Sequence, residues 1–120
     1  MDIKADQRRY SRYEVLDYAI VDVDGDPEPI RSVIVDIGLG GLQLRAKKPL
    51  NVGTNCRLCV GNLESKPFEI RGEVRHAQQV TGSDLYAIGV RFVPENHDER
   101  TTVAEYVHSV FQRQADFLTP

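Results

Sequence analysis

Six short strand-like runs follow one another along most of this chain: Glu14 to Val23, Arg31 to Ile37, Gly41 to Ala46, Asn55 to Leu63, Pro67 to Ala77 and Leu85 to Val93. Short alternating runs at this spacing predict a small antiparallel barrel or sandwich. The joints carry turn chemistry. Asp22 to Pro29 contains Gly25, Pro27 and Pro29, Gly53 precedes a run, and Glu64-Ser65 sits at a hairpin tip. Alternation places Val33, Val35 and Ile37 inward, with Leu42 and Leu44, Cys56, Leu58 and Val60, Phe68, Ile70, Gly72 and Val74, and Tyr86, Ile88, Val90 and Phe92. Arg57, Arg71 and Arg91 fall between them and point outward.

After Val93 the period changes. Val103, Tyr106, Val107, Val110, Phe111 and Phe117 lie on one face of an amphipathic helix. Asn96, with Glu99 three residues on and Pro94 before it, marks the helix start as a capping box. The apolar stripe predicts a helix that plugs or flanks the barrel. Its far end, Val110 to Phe117, is a candidate contact for a protein partner or for a second copy in a homodimer.

At 120 residues the chain is one domain long. Its expected parts are a mobile arm over 1–12, polar and without apolar periodicity, a barrel over 13–93 and a helix over 96–117. A formal net charge of -3 argues against a duplex nucleic-acid binder, which leans on many basic phosphate contacts. No apolar run is long enough to span a bilayer, and Met1-Asp2-Ile3-Lys4 does not open a signal peptide, so no membrane insertion and a cytoplasmic location are expected. Cys56 and Cys59 have CxxC spacing but fall on a strand, where residues three apart face opposite ways. The expectation is two structural thiols, with no disulfide and no shared metal. His97 and His108 have no metal-site spacing. The sequence contains no GxSxG elbow, P-loop or HExxH, so an enzyme is not expected.

Two clusters carry chemistry instead. Arg8-Arg9-Tyr10-Ser11-Arg12 offers forked cations that bind phosphate or guanine O6/N7 in bidentate fashion, and Asp36-Ile37-Gly38-Leu39-Gly40-Gly41 offers a carboxylate for a guanine N1-H/N2-H edge beside small residues. Their order and spacing, Arg8-x-x-x-Arg12 and then Asp36-x-Gly38-x-x-Gly41, resemble the paired RxxxR and (D/N)xSxxG signature of PilZ domains, which bind cyclic di-GMP. Leu42-Gln43-Leu44-Arg45, Lys48-Pro49-Leu50-Asn51-Val52-Gly53-Thr54, Gly72-Glu73-Val74 and Ala87-Ile88-Gly89-Val90-Arg91-Phe92 resemble further segments of that family in the same order. Gly38 stands where the family usually has Ser.

The resemblance implies a mainly β fold: a six-stranded antiparallel PilZ-type β-barrel with a flexible N-terminal arm and a C-terminal α-helix. It implies a bacterial receptor whose ligand is cyclic di-GMP, with no cofactor and no catalytic or metal residue, acting on an effector protein. The ligand residues it implies are Arg8, Arg9, Arg12, Asp36, Gly38 and Gly41, joined by His76 at a place where family members often set an aromatic or basic residue against the ligand. Two other readings compete with it. One is an adaptor of the same fold that has lost nucleotide binding, which Gly38 favours. The other is a small barrel that binds single-stranded nucleic acid through Arg8, Arg9 and Arg12, which the acidic balance disfavours.

Overall fold

A computed structural model describes residues 17–62 and 66–118, without the side chain of Phe117. The strands are β1 (Asp17–Val23), β2 (Ile30–Ile37), β3 (Gly41–Ala46), β4 (Asn55–Asn62), β5 (Phe68–Gln79) and β6 (Tyr86–Phe92), and the chain ends in α1 (His97–Leu118). The six runs read from the sequence are all present, with ends that differ by a few residues. They close into a barrel in the order β1-β2-β3-β6-β5-β4. Every neighbouring pair is antiparallel, and β1 with β4 completes the ring. Closure distinguishes a barrel from a sandwich, with each of the six strands paired to a neighbour on both sides. The predicted Glu64-Ser65 tip and the arm over 1–12 lie outside the described residues.

The inward faces of β3 to β6 follow the alternation. Leu44, Leu58, Ile70, Val74 and Ile88 are fully buried, and Cys56 lies among them. Both cysteines are free, Cys56 buried and Cys59 half-buried, as opposite faces of one strand require.

In β2 the expected face is wrong in part: Val33 and Val35 are 44% and 52% exposed. Ile30 and Ser32 take the inward positions, and the Ser32 hydroxyl is satisfied by donating to the Ala19 carbonyl at 2.6 Å. Between Ile34 and Asp36 the pairing with β3 slips by one residue, so Val35 is a bulge. Such an insertion resets the alternation, and Ile37 returns to the core. The sequence concealed this because β2 carries aliphatic residues on both faces.

At the start of α1, Asn96 Oδ1 accepts from the Glu99 amide at 2.9 Å. The Glu99 carboxylate reaches back to the Glu95 amide at 2.8 Å, one residue earlier than a capping box would place it. Val103, Tyr106, Val107 and Val110 pack on the barrel, and the Tyr106 ring meets Phe68 edge-on with centroids 5.0 Å apart. Phe111, expected on this face, is 53% exposed. At about 100° per residue it lies roughly 80° round from Val103, beyond the packed stripe.

A buried ion pair fixes the far end of the helix. Asp17 at the start of β1 is buried and accepts from Arg113 Nη1 and Nη2 at 3.2 Å each, and from the Tyr106 hydroxyl. A buried carboxylate is tolerated only when its oxygens are taken up in this way.

Candidate functional site

The outer surface of four adjacent strands carries the candidate site, and its layout follows from register. Asp36 on β2 pairs with Gln43 on β3, Gln43 with Gly89 on β6, and Gly89 with His76 on β5. These residues form one transverse row on the outside of the barrel. The neighbouring row on the same face runs from Gly41 on β3 through Arg91 on β6 to Glu73 on β5.

Two bulges create the first row. On β2 the slip lies between Ile34 and Asp36, and on β5 a second slip lies between Val74 and His76. Regular pairing would set Val35 opposite Gln43 and Arg75 opposite Gly89. The bulges set a carboxylate and an imidazole there instead, and leave Val35 and Arg75 as the extra residues. Bulges commonly re-aim side chains beside binding sites in this way.

Gly89 leaves the middle of the row flat. A Cβ at Gly89 would stand 2.3 Å from His76 Cε1, so the imidazole lies directly over the glycine. In that position His76 Nε2 is 3.1 Å from Gln43 Oε1. Gly41 is constrained differently: a Cβ there would stand 2.2 Å from the Val90 carbonyl oxygen, so β3 passes too close to β6 for any side chain. The β2–β3 turn itself is closed by the Gly38 amide, which donates to the Gly41 carbonyl at 2.9 Å.

Asp36, Gly41, Gln43, Arg75, His76 and Arg91 line one cleft of about 280 Å³. Ligand pockets commonly measure about 300–1,000 Å³, so this open cleft suits a small group or one part of a larger molecule. Its chemistry is a carboxylate that accepts, an amide and an imidazole that do either, and two guanidiniums, with the imidazole laid over Gly89 and no side chain at Gly41. A flat polar ring bearing an anionic group matches that set. Glu73 borders it: its Oε1 accepts from Arg91 Nη2 at 3.0 Å and from Arg75 Nη1 at 3.5 Å. The Arg91 hydrogen bond, outweighing some desolvation, holds the Glu73 carboxyl below its ordinary range, and Arg75 adds to the effect.

Of the residues expected from sequence, Asp36, Gly41 and His76 come together in this cleft, and Gly38 sits in the adjoining turn. Arg8, Arg9 and Arg12 lie outside the described residues. Gln43, Arg75, Gly89 and Arg91 escaped the sequence reading, although all but Arg75 lie in segments that resemble the family. What placed them here was cross-strand register, which no local motif records. Among the described residues no group of three His, Cys, Asp or Glu side chains is placed to hold a metal ion. The one helix among them is not long and apolar enough to cross a membrane.

Comparison with known proteins agrees with the barrel. The fold is similar to the PilZ domain with c-di-GMP of YcgR from Escherichia coli, with a TM-score of 0.69, 13% sequence identity, and coverage of 83% of this chain and 86% of that one. Among curated proteins nothing matches. The family model for the PilZ domain matches residues 6–109, which takes in every strand and most of α1. The chain therefore belongs to the PilZ domain family.

Proposed function

We propose that this domain is a cyclic di-GMP receptor that passes the level of this second messenger to a protein effector in the bacterial cytoplasm. The observation that carries the reading is the transverse row: two bulges bring Asp36 and the His76 ring, which lies over Gly89, into one row with Gln43, next to Gly41 and Arg91. In this reading Asp36 accepts from the guanine N1-H/N2-H edge, and the His76 ring offers a face for a base. The cleft is too small to enclose the dinucleotide, so a second element has to cover it. Arg8, Arg9 and Arg12, which precede β1 in the chain, are assigned that task, taking phosphate and guanine O6/N7 from the other side.

A neighbouring groove supports the relay in this reading. Val35 and Phe111, both exposed, line a hollow of about 110 Å³ between β2 and α1 that shares Asp36 with the cleft. A partner seated on that surface would touch the strand that holds the ligand.

Titration calorimetry with cyclic di-GMP tests the assignment. Low-micromolar or tighter binding is expected, with GTP, GMP and cyclic AMP much weaker. Replacing Arg8, Arg12 or Asp36 by Ala should each weaken binding tenfold or more, from about 1.5–3 kcal/mol per charged hydrogen bond. No heat at high ligand concentration would favour the second reading, an adaptor that works by protein contacts alone, for which Gly38 in place of the usual Ser speaks.

A further inference from the structure

We infer that Arg91 and Arg75 form an anion subsite for a phosphate of the bound dinucleotide, and that Glu73 is the built-in competitor that occupies them in the free protein. This inference rests on the nucleotide reading above and names a further part of the same site.

The charge count in this corner is uneven. One carboxylate oxygen, Glu73 Oε1, serves two guanidiniums, Arg91 at 3.0 Å and Arg75 at 3.5 Å. Arg71 shows the opposite balance, with two acids for one cation: Asp24 at 3.5 Å and Glu95 at 3.7 Å. Arg71 is thus committed to structure, whereas the Arg75–Arg91 pair has positive charge left over. Both of its side chains are more than half exposed, at 61% and 51%, and both line the cleft. Exposed ion pairs are weak and exchange partners at little cost.

Geometry favours the exchange. The β3 residue paired with Arg91 is Gly41, which puts no side chain beside Arg91 on the side of β2, the strand that carries Asp36. Arg91 sits one row from Asp36, and Arg75 is the bulge residue next to His76. A phosphodiester entering beside the base would find a planar donor fork on each arginine, a better partner than one shared carboxylate oxygen. Glu73 is an ordinary carboxylate at neutral pH, and its Oε1 already rests on both guanidiniums, so it competes with an entering phosphate there.

The test is titration calorimetry with cyclic di-GMP at one fixed salt concentration on the unaltered domain, Glu73→Gln, Arg91→Gln, the double variant and Asp36→Ala, with thermal melts to confirm folding. Arg91→Gln is expected to weaken binding about tenfold. Glu73→Gln is expected to tighten it several-fold, and the double variant should regain only part of what Arg91→Gln loses, through the freed Arg75. Arg75→Gln, on the same oxygen, should weaken binding in the same direction by less. If the unaltered domain binds and Asp36→Ala disrupts binding while Arg91→Gln and Glu73→Gln change nothing, the subsite is refuted and the receptor reading stands. A Glu73→Gln variant that binds no tighter than the unaltered domain refutes the competitor. A silent unaltered domain alongside a binding Glu73→Gln variant supports it. Silence in both overturns the receptor reading and this inference together.

Discussion

Gly38→Ser gives the sharpest view of whether the β2–β3 turn holds a ligand. Gly25, Gly53 and Gly82 are the glycines with positive φ among the described residues; Gly38 is not one of them, and a Cβ built on it meets nothing within 4 Å. Serine therefore fits the existing backbone without strain. Removing glycine's freedom from the unfolded chain at such a site stabilises by about 0.4–1 kcal/mol, which for a domain of this size raises the melting temperature by roughly 2–4 °C. If the new hydroxyl reaches the ligand, a net hydrogen bond of about 0.5–1.5 kcal/mol tightens the complex about 2- to 12-fold. Gly38→Ala separates the two effects, because it changes the backbone entropy and adds no hydroxyl. The assay is a thermal melt and a titration with cyclic di-GMP on all three proteins. Both variants should melt higher, and the serine variant alone should bind tighter. Equal affinity for serine and alanine would mean that the hydroxyl meets no ligand, and Asp36 to Gly41 would lose its assignment as a ligand turn. A lower melting temperature in both would refute the backbone reasoning.

Two glycines in the cleft should respond differently to Ala. Gly41→Ala forces a Cβ against the Val90 carbonyl oxygen and should cost about 1–3 kcal/mol of stability by denaturant unfolding. In Gly89→Ala the clash is with the exposed His76 ring, which swings away; stability should change little, while the His76 ring resonances shift as its contact with Gln43 breaks. Arg113→Ala removes the forked partner of buried Asp17 and should destabilise by about 3 kcal/mol, read as a lower urea midpoint. Burial, with help from Asp24, pushes the Cys56 thiol from 9.0 up to about 11. The unfolded chain thus loses this proton at lower pH than the native one, so the contribution is complete below pH 9.0 and lost by about pH 11, visible as falling stability over that window in Cys56 but not in a Cys56→Ala background. Thiol reagents should label Cys56 only on unfolding.

Much of the architecture was local and therefore legible in the sequence. Alternation with turn clusters marked all six strands, and the change of period after Val93 marked α1 with Asn96 as its cap. The motif around Asp36 and the isolated His76 pointed to residues that share one cleft. What only the tertiary structure decided has a single physical cause: it depends on which strand lies beside which. Val33 and Val35 face outward because β2 slips by one residue against β3, and aliphatic side chains on both faces of a strand give alternation no phase to choose. The second slip, on β5, sets His76 rather than Arg75 opposite Gly89. Asp17 lies inside the run from Glu14 to Val23 with nothing local to mark it, yet it is buried because Arg113, 96 positions away, folds back over it. Glu73 meets Arg91 for the same reason: the two are 18 residues apart in the chain and opposite one another in the barrel.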